Sequence, residues 1–283
     1  MKLPYVLAKR FVAGESLSQA VPKVADLNEA GIKVTLDLLG ENVKDRATAD
    51  ETLQHYIELL EGIHAQGIDS SISIKLTMLG LDIDRDYCRD NLFRLLDAAR
   101  KYDQFIRIDM EGSDYTQVTI DLFKEAFKKY GKHVGIVIQA YLHRTKNDIE
   151  ELGALGADVR LCKGAYNEPE RVALKKMPDI REAYKEYAAA LLDKTVYPRI
   201  ATHDDELIEW VKTFAADNKI GKSRFEFQML YGLRLDTCKQ LAADGYNVRV
   251  YVPYGTMWFP YFTRRLKERK ENIWFVLSTM FQK

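Results

Sequence analysis

The sequence predicts an α/β protein built as a single (β/α)8 barrel of the TIM type over residues 1–283. Short, β-branched apolar runs alternate with longer amphipathic stretches, and this alternation repeats eight times without a linker or low-complexity tract. The runs are about five to eight residues long, which is typical of strands buried on both faces of a parallel sheet. An open, doubly wound sheet is the structural alternative, but eight unbroken strand–helix repeats favour a closed barrel.

The predicted strands are segments 32–39, 71–78, 105–112, 133–141, 158–164, 197–203, 224–230 and 247–253. Helical periodicity is found from about residue 48, and then in segments 84–102, 115–130, 145–155, 178–193, 204–217 and 234–244. An extra N-terminal helix is predicted at 16–30 and a final helix at 261–272. We expect the apolar segment 273–281 to pack on the barrel, with contact to a membrane surface as the alternative.

Charge and cysteine usage exclude several classes of protein. Lysine plus arginine equals aspartate plus glutamate at 42 each, so the basic face that nucleic-acid binding needs is not predicted. The three cysteines (Cys88, Cys162 and Cys238) lie far apart, without the spacing of a zinc site or a redox dithiol. We therefore expect reduced thiols, no metal site and a cytoplasmic location, with peripheral contact at the inner face of the membrane as a further possibility.

A barrel of this kind forms its site where the strands end at their carboxyl side. Polar residues predicted at these ends are Glu41, Lys75, Asp109, Glu111, Gln139, Lys163, Thr202, His203, Asp204, Gln228, Tyr251 and Tyr254. Lys75 and Asp109 follow neighbouring strands, so in a partly dry pocket they must pair or shift their pKa values. A purely structural ion pair under the barrel mouth explains the same spacing.

Segment RLCKGAY (160–166) brings two cations and a glycine to one strand end. Arg160 and Lys163 beside exposed backbone amides suit an anion, either a phosphate or a reduced flavin, and Gly164 allows a ligand to approach the backbone closely. The chain has neither GxGxxG nor GxxxxGK[ST]. Any dinucleotide must therefore be held by barrel loops.

The final helix carries two adjacent arginines, in the segment YFTRRLKERKEN. Helical geometry places Tyr261, Arg264 and Glu268 on one face, with Arg265 beside it. Arginines braced by a glutamate can clamp a small carboxylate through forked hydrogen bonds. A solvated helix face with internal ion pairs gives the same pattern.

Eight collinear motifs between residues 35 and 272 together resemble the proline dehydrogenase family, which includes monofunctional bacterial enzymes and a domain of bifunctional proline utilisation proteins. The motifs are KLTMLG, IDMEGS, IQAYL, RLCKGAY, ATHD, FEFQML, YVPYG and YxxRRxxERxxN. The resemblance implies an FAD-dependent oxidoreductase that takes a hydride from ring carbon 5 of L-proline to flavin N5. The product is Δ1-pyrroline-5-carboxylate, the first step of proline catabolism, and the electrons pass to a quinone or similar acceptor.

The resemblance also implies residue roles. Arg264 and Arg265 grip the proline carboxylate with help from Lys75, and Glu268 orients the arginines. The pocket around the proline ring is shaped by Leu230, Tyr251 and Tyr261. Two residues are implied as catalytic: Asp109, paired with Lys75 close to the flavin, and Arg160, near the reacting edge of the ring system. The implied FAD contacts are Met110, Gln139, Arg160, Lys163, Gly164, Ala165, Thr202 and His203.

Two alternatives and one partner complete these expectations. A flavin dehydrogenase for another cyclic amino acid, such as 4-hydroxyproline, is disfavoured because the Tyr251 phenol would crowd a ring hydroxyl. A non-catalytic sensor of flavin or proline is disfavoured by the intact set of charged residues. Pyrroline-5-carboxylate dehydrogenase is a possible protein partner.

Asn167 departs from the family pattern, since relatives commonly carry an aromatic residue there.

Overall fold

The computed structural model describes residues 8–194 and 197–268, with side chains up to Thr263 in the final helix. Its strands are β1 (Lys33–Leu38), β2 (Ser70–Ile74), β3 (Ile106–Ile108), β4 (Val134–Gln139), β5 (Val159–Cys162), β6 (Arg199–Ala201), β7 (Glu226–Leu230) and β8 (Asn247–Tyr254). They are parallel and follow one another around a closed barrel, with β8 pairing back onto β1. The predicted (β/α)8 barrel is confirmed.

Helices alternate with the strands as the periodicity predicts. They are α1 (Leu17–Glu29), α2 (Arg46–Gln66), α3 (Arg85–Lys101), α4 (Thr116–Tyr130), α5 (Thr145–Ala154), α6 (Met177–Lys194), α7 (Asp205–Asp217), α8 (Leu235–Ala243) and α9 (Trp258–Glu268). Aspartate caps fix where three of them begin, because each carboxylate accepts a hydrogen bond from a backbone N–H of the first turn. These caps are Asp45 for α2, Asp84 for α3 and Asp204 for α7.

Alternate residues of each strand face opposite sides of the barrel wall. The outward set is apolar and packs under the helices, and Leu36, Ile72, Ile106 and Val134 follow one another in register across β1 to β4. Burial of each such side chain stabilises the fold by roughly 1.5–3 kcal/mol. The inward set is unusually polar, so the barrel interior is a charged network and not a second apolar layer. Its buried charged members are Asp37, Arg107, Arg160, Arg199, Glu226 and Arg249.

The amino-terminal end of the barrel is closed by ion pairs. Arg199 donates to both carboxylate oxygens of Asp158, at 2.7 and 2.6 Å, and to Glu226 Oε1 at 2.8 Å. Arg249 donates to the same Glu226 oxygen at 2.8 Å and to the Val34 carbonyl at 2.7 Å. Burial opposes ionisation of Glu226, but the charges of Arg249 and Arg199 outweigh it and hold the pKa of this carboxyl well below its usual range. This network stabilises the base of the barrel, at the end opposite the mouth.

The N-terminal segment 8–15 ties α9 to the barrel. The Ala13 N–H donates to the Pro253 carbonyl at 2.8 Å, and the Gly255 N–H donates to the Gly14 carbonyl at 2.9 Å. Beside these bonds, Phe11 packs on Phe262 of α9 with ring centres 6.3 Å apart. The final helix is thereby anchored close to the end of β8.

Six strands end earlier than the sequence predicts, and the difference is largest for β2 and β3, because the chain turns into the barrel mouth there. After β2, Leu76–Leu79 forms a 3-10 turn that ends at Gly80, whose φ is +96°. After β3, Asp109 and Met110 have already left the strand. The predicted packing of 273–281 concerns residues outside those described. Within the described chain, no helix combines the length and apolarity needed to cross a bilayer.

Candidate active site

A cavity of about 900 Å³ opens at the carboxyl ends of the strands. This is within the range of roughly 300–1,000 Å³ typical of ligand sites. Most of the predicted site residues line it, namely Lys75, Asp109, Met110, Arg160, Lys163, Gly164, Ala165, Thr202, His203, Leu230, Tyr251 and Tyr261. The fold therefore brings together side chains that lie up to 186 positions apart, from 75 to 261.

Four predicted site residues are placed differently or not described. Gln139 is buried off the cavity wall, where its Nε2 donates to the Glu111 carbonyl at 2.9 Å. Its predicted contact with the flavin stays a prediction. The backbone of α9 includes Arg264, Arg265 and Glu268, but their side chains lie outside those described. The carboxylate clamp also stays a prediction.

Asp109 is the centre of a hydrogen-bonded cluster on the cavity floor. Its Oδ1 accepts from Arg160 Nη1 at 2.8 Å, and its Oδ2 accepts from the Tyr251 hydroxyl at 2.8 Å. Arg160 also donates to Ser73 Oγ at 3.2 Å, and its guanidinium carbon lies 5.4 Å from the centre of the Tyr251 ring. Arg160 Nε is buried without a hydrogen-bond partner within the described chain. The cluster fixes three side chains at one point: Asp109, which follows β3, Arg160 of β5 and Tyr251 of β8.

Lys75 pairs with Asp37 and not with Asp109, so the implied Lys75–Asp109 pair is wrong. Lys75 Nζ lies 3.0 Å from Asp37 Oδ1, and both side chains are almost fully buried. Asp109 is instead hydrogen-bonded to Arg160 and Tyr251. Asp37 was missed, although a single carboxylate within the mostly apolar run IKVTLDLL is a signal for an inward-facing strand residue.

Burial and charge set the protonation states in this cluster. Burial would lower the pKa of Lys75, but the negative charges of Asp37 and then Asp109 outweigh it, so the pKa rises above its usual range. Burial, followed by the charges of Asp109 and Asp37, raises the pKa of the Tyr251 hydroxyl well above its usual range. At neutral pH the floor therefore presents an ammonium group and a phenol that remains a hydrogen-bond donor.

A group of cations surrounds one side of the cavity. Lys163 and Arg181 both pair with Asp204, with Arg181 Nε 2.8 Å from Oδ2. Arg234 donates to the His203 carbonyl at 2.7 Å and has a φ of +53°, which a non-glycine residue seldom adopts. Sequence reasoning missed Arg181 and Arg234, because helical and loop arginines without a strand-end position carry no distinguishing pattern.

His203 and Gly164 are fixed by their surroundings. The Leu230 N–H donates to His203 Nε2 at 2.9 Å, so a neutral His203 ring carries its hydrogen on Nδ1. Gly164 has a φ of +120°, and a Cβ there would overlap the ring of Tyr141. Only glycine fits this position without strain, and Gly164 and Ala165 both line the cavity.

Comparison with known proteins identifies the family. A family model described as proline dehydrogenase matches residues 20–277. Proline dehydrogenase 2 of Bacillus subtilis (strain 168) is 42% identical over 278 residues, which cover 98% of this chain and 91% of that protein. Proline dehydrogenase of Deinococcus radiodurans is 42% identical over 280 residues, which cover 98% of this chain and 90% of that protein.

The fold has a close counterpart among solved structures. Proline utilization A (PutA) from Bdellovibrio bacteriovorus, inactivated by N-propargylglycine, superposes with a TM-score of 0.86 at 25% identity. The match covers 92% of this chain and 32% of that one, so this chain corresponds to about a third of its length. The family model and the two relatives are decisive: the chain belongs to the proline dehydrogenase family.

Proposed function

We propose that the chain is an FAD-dependent dehydrogenase that oxidises L-proline to Δ1-pyrroline-5-carboxylate. Family membership supports the reaction class. The observation that carries the proposal is the cluster of Arg160, Asp109 and Tyr251 beside the Lys75 ammonium group. A small amino acid needs this combination of fixed positive charge for its carboxylate and a shaped, partly apolar wall for its ring.

The residues present fit FAD. Arg160, Gly164 and Ala165 line the cavity, the Nε of Arg160 is a buried donor without a partner within the described chain, and the lack of a side chain at Gly164 favours close approach by a flat ring or a phosphate. Lys163, Arg181 and Arg234 supply positive charge for a pyrophosphate. The further FAD contacts that we propose are Met110, Gln139, Thr202 and His203. When bound, FAD supplies the acceptor for the hydride that leaves ring carbon 5 of proline.

The protein itself contributes orientation and charge. Lys75, with Arg264 and Arg265 of α9, holds the substrate carboxylate, so that one orientation of the proline ring is selected. Tyr251, Tyr261 and Leu230 form the wall around that ring. Asp109 keeps Arg160 and Tyr251 in place, because each donates to a different carboxylate oxygen. Glu268 is proposed to orient the arginines from the same helix.

The electron acceptor and the location belong to this proposal as well. We propose a quinone or similar acceptor, and a cytoplasmic protein that contacts the inner face of the membrane peripherally. Pyrroline-5-carboxylate dehydrogenase is the proposed consumer of the product. One similar protein of Escherichia coli is named bifunctional protein PutA, and the match covers 96% of this chain and 24% of that protein.

A visible spectrum before and after addition of proline tests the proposal. We expect the purified protein to show flavin absorbance near 450 nm, on the order of that of free FAD, and to bleach when proline is added without oxygen. A protein that takes up no FAD, or whose flavin stays oxidised with proline, contradicts the proposal. Turnover of 4-hydroxyproline serves as the specificity control, and a clear preference for it would show that the substrate is a different cyclic amino acid.

A further inference from the structure

Asp37 is a buried carboxylate that has no role in the function proposed above. Its side chain is 1% exposed, and its Oδ1 lies 3.0 Å from Lys75 Nζ. Its Oδ2 is buried and has no hydrogen-bond partner among the described residues. A carboxylate removed from water in this way is costly unless a cation opposes it. Lys75 is that cation, since no other ion pair of Asp37 is found within the described chain.

Strand register explains why these two side chains meet. Asp37 of β1 pairs with Ser73 of β2, so both point into the barrel. Lys75 follows Ser73 by two residues and therefore points the same way, just beyond the end of β2. Both Asp37 and Lys75 line the cavity. Their ion pair consequently forms part of the cavity floor.

The surrounding charges make Asp37 the main support for a charged Lys75. Burial lowers the pKa of Lys75, and the strongest opposing influence is the charge of Asp37, followed by that of Asp109. Burial also raises the pKa of Asp37 itself, while the Lys75 charge opposes that rise. The titratable and charged groups around the pair are Tyr56 of α2, Asp109 and Glu111 after β3, Arg160 of β5, and Tyr251 and Tyr254 of β8.

We propose that Asp37 is a positioning residue for Lys75: its carboxylate keeps the lysine amine protonated and fixed at the cavity floor, where it attracts the carboxylate of the substrate. This inference rests on the proposed function, because Lys75 is taken there as a substrate-binding residue. Asp37 acts through Lys75 and does not itself contact the proline.

A double-mutant cycle in the FAD-loaded, full-length protein tests this inference. Asp37→Asn should raise the KM for proline about tenfold or more and move the alkaline loss of kcat/KM to lower pH, because an unpaired buried lysine deprotonates more easily. Lys75→Met should raise KM at least as much. When Asp37→Asn is added to Lys75→Met, KM should not rise further, since the group through which Asp37 acts is already absent.

Asp158, a partly buried carboxylate at the other end of the barrel, provides the matched control. Asp158→Asn also disrupts buried ion pairs, with Arg107 and Arg199, but should leave the KM and pH profile unchanged. An Asp37→Asn protein with the KM and pH profile of the original contradicts the inference, and so does a further KM rise in the double variant. If Asp37→Asn alone does not fold, comparison of the KM of Lys75→Met with that of the double variant still shows whether Asp37 acts through Lys75. A parent protein that is inert to proline contradicts the proposed function and this inference with it.

Discussion

The Tyr251 hydroxyl and the Asp109 carboxylate are joined by a 2.8 Å hydrogen bond across 142 positions of the chain. The other oxygen of Asp109 is held by Arg160, so Tyr251 completes the set of donors around this carboxylate. Because the bond links β8 to the end of β3 across the barrel mouth, it fixes both the phenol ring and the position of Arg160. Removing the hydroxyl alone therefore isolates the contribution of this contact.

We expect Tyr251→Phe to lower kcat/KM for proline about tenfold, since a hydrogen bond to a charged group is worth about 1.5 kcal/mol or more. FAD content should not change, because the ring remains. Steady-state kinetics with a matched Tyr254→Phe variant checks this, as Tyr254 lies on the same strand without lining the cavity. Equal kcat/KM in Tyr251→Phe and the parent protein would show that the hydroxyl is dispensable.

The arginine pair of α9 is predicted to bind the substrate carboxylate. Arg264→Met or Arg265→Met should raise the KM for proline about 10- to 100-fold, because each removes charge-assisted hydrogen bonds worth about 1.5–3 kcal/mol. The flavin spectrum should stay that of the parent protein. Lys267→Met, which removes another cation of the same helix that has no predicted role in the site, should leave KM unchanged. An unaltered KM in both arginine variants would show that Arg264 and Arg265 do not bind the substrate carboxylate.

Gly164 is required by its backbone conformation and by the Tyr141 ring. Gly164→Ala should lower the free energy of unfolding by about 1–3 kcal/mol and weaken FAD binding, because the loop must move to accommodate the methyl group. Thermal unfolding and FAD titration measure the two effects. Gly153→Ala is the control: this glycine lies in α5 with room for a Cβ, so the same change should be neutral or stabilising. A Gly164→Ala protein with the stability and FAD affinity of the parent protein would show that glycine is not required at this position.

Glu226 stabilises the base of the barrel through its ionised form. Its pKa in the folded protein lies well below the unfolded value of about 4.3. The stabilisation is therefore fully present above about pH 4.3 and is lost as the pH falls towards the folded pKa. Glu226→Gln, which removes the carboxylate that Arg249 and Arg199 share, should lower the free energy of unfolding at pH 7 by about 3–5 kcal/mol.

Urea unfolding at several pH values measures this effect. The difference between Glu226→Gln and the parent protein should shrink below about pH 4.3, because Glu226 of the parent protein then takes up a proton in the unfolded state while it is still ionised in the folded state. Asp103→Asn, which breaks the exposed pair with Lys132, should have no measurable effect. A constant difference from pH 7 down to the acid transition would contradict a role for the Glu226 charge.

Much of the candidate site was predictable because barrel geometry converts position in the sequence into position in space. Lys75, Asp109 and Tyr251 each stand towards the carboxyl end of a predicted strand, and parallel strands bring those ends to one rim. The polar interior was not predicted, although arginine alternates with apolar residues in Ile-Arg-Ile of β3 and Val-Arg-Leu-Cys of β5. Arg181 and Arg234 were not predictable, since no strand period marks them.

The sequence by itself determined the eight strand–helix repeats, the closed barrel and the rim at which the charged residues gather. Periodicity of side chains suffices for this, because it decides which face of each element must be buried. Only the tertiary structure decided the partners: Lys75 with Asp37, and Asp109 with Arg160 and Tyr251. A pairing depends on strand stagger and on competition among several charges within one small space, and neither is encoded in the spacing along any single strand.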